Sequence, residues 1–413
     1  MSRCHPLAAL LILSAVLLQS ACKPAAEPPT SEVPVPVNPL FVDPAESDFT
    51  DNPELLERIL ATPHGYFRFI NRTFSQEVCT RFAPLLAGRP SFNLHGDAHI
   101  EQYAITDLGR GLTDYDDSSA GPAALDLTRI GVSLSLTALR NGWEDQTGAL
   151  LDELLRGYRE ALRDPQIEVP EPVVAQRMRA KFTYDRDAYF EWVDSIIDEV
   201  PEDERVGLAA AMEPYVEVTL AQDPTLDPVF FDPVEVGYLR MGIGSALDLK
   251  YLVRTRGPSD SPEDDVVLEV KQVRDLSEID CISVARGDDP FRILVGQARI
   301  ANQPYKYLGY ARFRGYTFWV HAWVQNYREV ASGESFESPE ELAAVVYDIG
   351  IQLGRGHTNQ IAAPLDEQLR REQMVILDRR EVMLRQTIGE LTDLTLEAWE
   401  SFGEQVRGAR EVS

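Results

Sequence analysis

The chain has 413 residues and a formal net charge of −28, with 39 Lys and Arg set against 67 Asp and Glu. That acidic balance argues against nucleic acid and anionic lipid surfaces as partners, because both present dense negative charge. The acidic residues are spread along the chain rather than gathered in a tail, which suits a solvated surface.

The first segment reads as a targeting signal. Arg3 supplies a positive start, Leu7 to Leu18 is an apolar run, and Ser20-Ala21-Cys22 places small residues before a cysteine. At about a dozen residues the run is too short for a permanent membrane span. The junction resembles a bacterial lipoprotein signal, which implies removal of residues 1–21, a lipid on Cys22 and an exported, membrane-anchored protein. Ordinary secretion with Cys22 retained is the alternative. Residues 22–48 are proline-rich without an apolar period, so they read as an extended tether. About 370 residues remain, enough for one large core or two lobes.

Residues 52 to 87 read as helices, with Asp51 or Asn52 as a cap. Short strand-like segments flank a loop at His95. Leu127, Ile130, Leu134 and Leu136–Leu139 mark a buried helix from Leu125 to Arg140. Residues 143 to 222 carry helical periodicity on Leu150, Leu151, Leu154, Leu155, Tyr158 and Leu162, broken by Pro165, Pro170 and Pro172. From about residue 229 the pattern changes. Val236–Val253, Val266–Val273 and Phe313–Val324 are rich in β-branched and aromatic residues, with a loop at Gly257–Pro262 between the first two. Ser338-Pro339-Glu340-Glu341 then opens a helix with a capping box, and helices continue to the end. The expected fold class is α+β, with a helical segment at 49–228, a β-rich segment at 229–335, and helices at 336–413 that return to the first segment. Cys79 and Cys281, about two hundred residues apart, are expected as two buried free thiols.

The chemistry concentrates between Phe92 and Leu127. His95-Gly96-Asp97-Ala98-His99 is followed by Asp114-Tyr115-Asp116-Asp117 and then by Gly121-Pro122-Ala123-Ala124-Leu125-Asp126. Two carboxylate clusters at hairpin separation suit a divalent cation, because Mg²⁺ takes hard oxygen ligands from a rigid frame. Further on, Gly242-Ile243-Gly244-Ser245 sits between strand-like runs, and Val267-Leu268-Glu269-Val270-Lys271 is a strand ending in lysine.

The His95 to Gln102 segment resembles the catalytic loop of the aminoglycoside- and choline-kinase branch of the protein-kinase-like superfamily. The resemblance implies that Asp97, beside His95, accepts the proton of an attacking hydroxyl, and that Gln102, standing where the branch has Asn, holds a metal ion. Asp114-Tyr115-Asp116 is similar to the metal-binding segment of those kinases, which implies Asp114 and Asp116 as Mg²⁺ ligands. Asp126 matches the residue that buttresses the loop by accepting backbone amides. His99 reads either as a structural hydrogen-bonding residue or as a ligand, and Asp116 and Asp117 either as ligands or as turn caps. By the same resemblance, Gly242, Gly244 and Ser245 cover the phosphates of ATP, and Lys271 pairs with them. Glu278 and Gln297 are candidates for the residue that pairs with the lysine. The order of these parts is inverted relative to ordinary kinases, and Ile349–His357 resembles the helix that normally precedes the catalytic loop. The expected architecture is therefore a two-lobed kinase-like fold in circularly permuted order. Across residues 60 to 360 the set resembles an uncharacterised bacterial family known as domain of unknown function 2252.

Three functions stay open at this point. One is an Mg-ATP-dependent phosphotransferase or nucleotidyl transferase acting on a small hydroxylated acceptor. A second is a non-catalytic kinase-like binding module of the cell envelope. The third is a metal-dependent hydrolase using His95, Asp97, His99 and Asp114 as ligands. The first requires folding to carry Lys271 onto the early carboxylates. The aromatic set Phe313, Tyr316, Phe318, Trp319 and Trp323 reads as core and hinge packing, and His64, His321 and His357 have no assigned partner.

Overall fold

Helix-capping chemistry and apolar spacing set the first elements. In the computed structural model, which describes residues 38–50, 52–86, 90–239, 248–284, 287–359 and 362–412, Asn52 caps α1 (Pro53–Ala61) by accepting from the Leu55 N–H at 3.1 Å. Thr62 caps α2 (Pro63–Phe69) in the same manner, and α3 (Asn71–Leu86) follows directly. The signal segment with Cys22, most of the tether, and the glycine segment holding Gly242, Gly244 and Ser245 lie outside the described residues. Among the described residues no helix is long and apolar enough to cross a membrane.

Four short strands then frame the chemistry-bearing segment. They are β1 (Phe92–Leu94), β2 (Tyr103–Thr106), β3 (Arg110–Leu112) and β4 (Ser119–Gly121). β1 pairs antiparallel with β4, and β2 with β3, so the residues from 95 to 118 fold back on themselves as a double hairpin. α4 (Ala124–Arg140) buries nearly its whole circumference. Each large side chain it removes from water, such as Leu127, Ile130 and Leu134, contributes about 1.5–3 kcal/mol.

α5 (Thr147–Arg163), α6 (Val173–Arg179), α7 (Arg186–Ser195), a short β5 (Ile197–Glu199) and α8 (Glu202–Gln222) complete the first half. The β-rich half supplies β6 (Pro233–Leu239), β7 (Lys250–Thr255), β8 (Val266–Gln272), α9 (Phe291–Ile300), β9 (Gly309–Phe313), β10 (Tyr316–Ala322) and β11 (Tyr327–Glu329). A six-stranded antiparallel sheet runs β5-β6-β7-β8-β10-β9, while β11 adds to the early hairpin in the order β11-β2-β3. The fold is thus mixed helix and sheet, α+β, as the patterning indicates.

The stretch Phe313–Val324, read above as one strand, is instead the end of a hairpin. Arg314 (φ +50°) and Gly315 (φ +84°) both turn left-handed between β9 and β10, a geometry that fits a tight hairpin. Alternation along β8 sorts the sheet faces. Leu268 and Val270 face a core shared with Leu208, Met212 and Tyr215 of α8, and Glu269 and Lys271 point the other way.

α10 (Pro339–Gly356) and the 48-residue α11 (Leu365–Val412) pack back onto α5 and α4. Ser338 occupies the cap position of α10, but its side chain bonds no backbone amide, so the expected capping box does not form. α10 approaches α5 closely because a Cβ at Gly350 would lie 2.2 Å from the Leu154 carbonyl oxygen. This close crossing sets His357, just past the helix end, against α4.

The two cysteines are not free. Cys79 of α3 and Cys281 form a disulfide with a Cα separation of 5.3 Å, which corrects the expectation of free thiols. The physical reason is tertiary. The segment after β8 folds along α3, where Gln76 bonds Asp280 at 2.7 Å and accepts its N–H at 2.9 Å.

Candidate active site

The site is built around a glycine turn. Gly96 sits at φ +83°, and a Cβ there would lie 1.9 Å from the Asp117 carbonyl oxygen, so only glycine lets the His95 loop lie on the Asp114–Asp117 turn. Asp126, in the first turn of α4, accepts the His95 N–H at 2.7 Å and the Gly96 N–H at 2.9 Å. His357 Nε2 lies 3.1 Å from the same carboxylate, and its Nδ1 lies 2.7 Å from the Tyr158 hydroxyl. Burial works to raise the Asp126 carboxyl, and the hydrogen bond from His357 overcomes it and holds the group below its ordinary value.

His95 was expected beside the chemistry, but it is a brace. Its Nε2 is 2.9 Å from the Thr113 carbonyl oxygen, which fixes the proton there, and its Nδ1 is then left to accept from the Asp97 N–H at 3.3 Å. The ring is wholly buried. His99 is equally buried, and its Nε2 stands 3.8 Å from Asp97 Oδ2. Both nitrogens of His95 are committed within the loop, so the His-x-Asp-x-His array needed for the hydrolase reading is not assembled. Among the described residues, no three His, Cys, Asp or Glu side chains converge for a metal.

Asp97 faces a partner the sequence reading missed. Arg129 of α4 donates from Nε to Asp97 Oδ1 at 2.6 Å, and its guanidinium lies 4.1 Å from the centre of the Phe67 ring. Burial raises the Asp97 carboxyl above its ordinary value, with Arg129 opposing. Arg129 lies three residues after Asp126, a cation in the middle of a helix that is buried almost all round. That lone cation was the available signal.

Lys271 comes down from β8 onto the early turn. Its Nζ is 3.0 Å from Asp114 Oδ1 and in contact with Asp116, across 157 residues of sequence. Its strand neighbours in register are Lys250 and Trp319. Trp319 donates from Nε1 to Asp116 Oδ1 at 2.9 Å. Neither Glu278 nor Gln297 pairs with the lysine: Glu278 binds Arg72 and Gln297 accepts the Tyr305 N–H. Burial works to raise Asp114, but Lys271 and then Arg274 hold it well below the ordinary range. Asp116 is pushed up to about 8, by burial and by its neighbour Asp114.

Asp117, left above as ligand or cap, is gripped from two sides. Asn71 of α3 donates to its Oδ2 at 2.7 Å and Arg274 donates to the same oxygen at 2.8 Å. Arg274 also donates to Asp248 at 2.6 Å. Arg292 spans the carbonyl oxygens of Asp116, Ser118 and Arg274. A cleft of about 760 Å³ opens between α3 and the segment after β8, lined by Phe69, Asn71, Arg72, Asp248 and Arg274 among others.

Two oxygen donors are suited to a cation here. The Asp114 side chain keeps about a third of its surface exposed, and the Gln102 amide lies 3.4 Å from its Oδ2 with its own Oε1 buried and unpaired. Asp116, expected as a third ligand, is instead taken up by Lys271 and Trp319. Two protein oxygens fit Mg²⁺ brought with phosphates, since that ion characteristically keeps water and phosphate oxygens in most of its positions.

The remaining orphan histidines find partners. His64 lies 2.7 Å from Ser133 and 3.3 Å from Glu101, and His321 lies 2.8 Å from Glu269 and stacks on Trp319. These pairings join elements far apart in sequence, so no local pattern announced them.

The raised Asp116 carboxyl has a measurable consequence. Between the unfolded carboxylate value near 4 and the folded value of about 8, the folded protein keeps a proton that the unfolded chain has released. This group's contribution to stability is therefore full at low pH and lost as pH rises through about 8, with a slope of up to about 1.4 kcal/mol per pH unit. Asp116→Asn keeps an oxygen for Trp319 and abolishes the titration. Its melting temperature relative to wild type should climb from pH 5 to pH 8; parallel curves for the two proteins contradict the assignment.

A family model described as "Uncharacterized protein conserved in bacteria (DUF2252)" matches residues 53–191 and 174–405. No curated protein and no solved structure matches the chain.

Proposed function

The chain belongs to this family of uncharacterised bacterial proteins, and we propose that it is a membrane-anchored, kinase-like protein that grips a Mg²⁺-nucleotide between Lys271 and Asp114. Its reaction is transfer of a phosphoryl or nucleotidyl group to a small hydroxylated acceptor. The supporting observation is the meeting of Lys271 Nζ with Asp114 Oδ1 at 3.0 Å, a cation from the late sheet seated on a carboxylate of the early turn. A lysine and carboxylates held this way suit a polyphosphate: the lysine takes phosphate oxygens while Asp114 and Gln102 face the cation that accompanies them. Mg²⁺, when bound, supplies neutralisation of the phosphate charge. On this reading the helical and β-rich parts are two lobes in permuted order, and Cys22 carries the lipid.

The chain's own groups then divide the work. Lys271 orients the phosphates, and Asp116, in contact with its ammonium, keeps it seated on the early turn. Asp97, raised by burial, takes the proton from the acceptor hydroxyl. Asp126 and His357 keep its loop fixed.

A second reading rests on a specific observation. Arg129 holds Asp97 Oδ1 at 2.6 Å in a buried pair, which favours a binding module without turnover. Titration of the purified full-length protein with ATP and Mg²⁺ by calorimetry tests both. Saturable micromolar binding that needs Mg²⁺ is expected, and no heat at millimolar nucleotide rejects the nucleotide site. Slow hydrolysis that disappears in Asp97→Asn, with binding retained, favours the transferase; binding with identical background hydrolysis in both proteins favours the module.

A further inference from the structure

The Cys79–Cys281 disulfide joins the two walls of the cleft between α3 and the segment after β8, and its position bears on more than stability. One wall is α3, which presents Asn71, Arg72 and Gln76 to the cleft. The other is the segment leaving β8, which presents Gln272, Arg274 and Glu278. The walls converge on one atom: Asn71 and Arg274 both donate to Asp117 Oδ2, at 2.7 and 2.8 Å. Asn71 also donates to the Gly96 carbonyl oxygen at 3.2 Å, next to Asp97. Arg274 follows Lys271 by three residues, just past the end of β8.

Leu276 and Ile279 lie in the same buried core as Phe74 and Val78 of α3, whereas the polar contacts between the walls away from that atom are exposed. Arg72 pairs with Glu278, but both are largely exposed, and such pairs contribute about 0–1 kcal/mol. The Gln76–Asp280 hydrogen bonds are exposed too. The covalent link is the tie between α3 and the 272–284 segment that a change of redox state can cut. Cys79 is buried and Cys281 is partly exposed, so an exchanging thiol reaches the bridge at Cys281.

We propose that the disulfide is a redox latch for the cleft: its formation completes the ligand site, and its reduction releases the Arg274 wall from α3 and weakens binding. The proposal rests on the nucleotide reading above, with the cleft adjoining that site through Asn71 and Arg274, which both hold Asp117. The chemistry is thiol–disulfide exchange with a dithiol-type oxidant. The two thiols are oxidised to the Cys79–Cys281 bond, losing two protons and two electrons. The oxidant's disulfide is reduced to two thiols. On this account a chain that has not met an oxidant binds poorly and becomes competent only in an oxidising compartment.

The test uses purified full-length protein in three states: oxidised, reduced by a phosphine, and reoxidised with a disulfide reagent. Binding of a non-hydrolysable ATP analogue with Mg²⁺ is measured by calorimetry, and amide exchange is followed at residues 71–80 and 272–284, all well below the melting temperature. The expected result is an affinity at least tenfold weaker on reduction and restored on reoxidation, with faster exchange confined to those two segments. Cys79→Ser/Cys281→Ser should match the reduced state; if it fails to fold, the reduced wild type decides. Equal affinity and unchanged exchange in both redox states overturn the latch, leaving the bridge as a fold-stabilising link only. If no state binds nucleotide, the functional reading fails, and the exchange pattern still settles whether the wall is released.

Discussion

Arg129→Leu is expected to destabilise the fold by about 3–5 kcal/mol, the usual cost of stripping the partner from a buried charge. The guanidinium is wholly buried, bonds Asp97 Oδ1 at 2.6 Å and covers the Phe67 ring at 4.1 Å. Leucine replaces the contact with the ring but leaves the Asp97 carboxylate without its counter-charge beside Asp114 and Asp117. Loss of Arg129 also removes what opposes the upward push of burial on the Asp97 carboxyl, which works against its use as a base. A fall of roughly 4–6 °C in melting temperature follows for a protein of this size. Asp97→Asn in the same background removes the uncompensated charge and should recover most of the loss. That non-additivity identifies the ion pair as the cause rather than a packing defect. If the double variant melts no higher than Arg129→Leu alone, the pair is not what holds this part of the core.

Much of this site was readable from residue types because its local geometry is encoded locally. Gly96 between two polar residues marks a turn that needs φ above zero, and Asp126 one turn into α4 marks a carboxylate placed to accept loop amides. The α+β order was readable for a similar reason: leucine spacing near residues 150–162 and β-branched alternation near 266–272 are short-range signals. What escaped were the long-range pairings. Nothing around Cys79 indicates that Cys281 lies beside it, and nothing around Asp117 indicates Asn71 and Arg274. The contacts of His95 were not legible because a histidine beside a catalytic-type Asp looks the same in sequence whether its nitrogens face a cleft or a carbonyl oxygen. The Arg314-Gly315 turn was missed because an arginine at positive φ is rare enough that the flanking aromatic run reads as continuous strand.

Lys271 and Asp114 touch each other, yet their replacements should separate stability from binding. Lys271→Met strips Asp114 and Asp116 of the cation that both contact, so a loss of up to about 3–5 kcal/mol is expected, softened because Asp116 already holds its proton below about pH 8. Asp114→Ala is milder, because Lys271 keeps Asp116 and Asp114 is the more exposed of the two carboxylates. For a Mg²⁺-nucleotide the ranking differs: each variant removes one side of the grip, the phosphate side or the cation side, and each should weaken affinity by about a hundredfold, near 2.7 kcal/mol. Asp114→Ala should further lose its Mg²⁺ dependence, since Gln102 alone is a poor ligand, whereas weak binding by Lys271→Met should still respond to Mg²⁺. Calorimetric titrations with and without Mg²⁺, paired with thermal melts, separate the cases. A variant at Asp114 that melts like wild type and binds nucleotide equally well would leave the 3.0 Å contact as a structural ion pair with no ligand to serve.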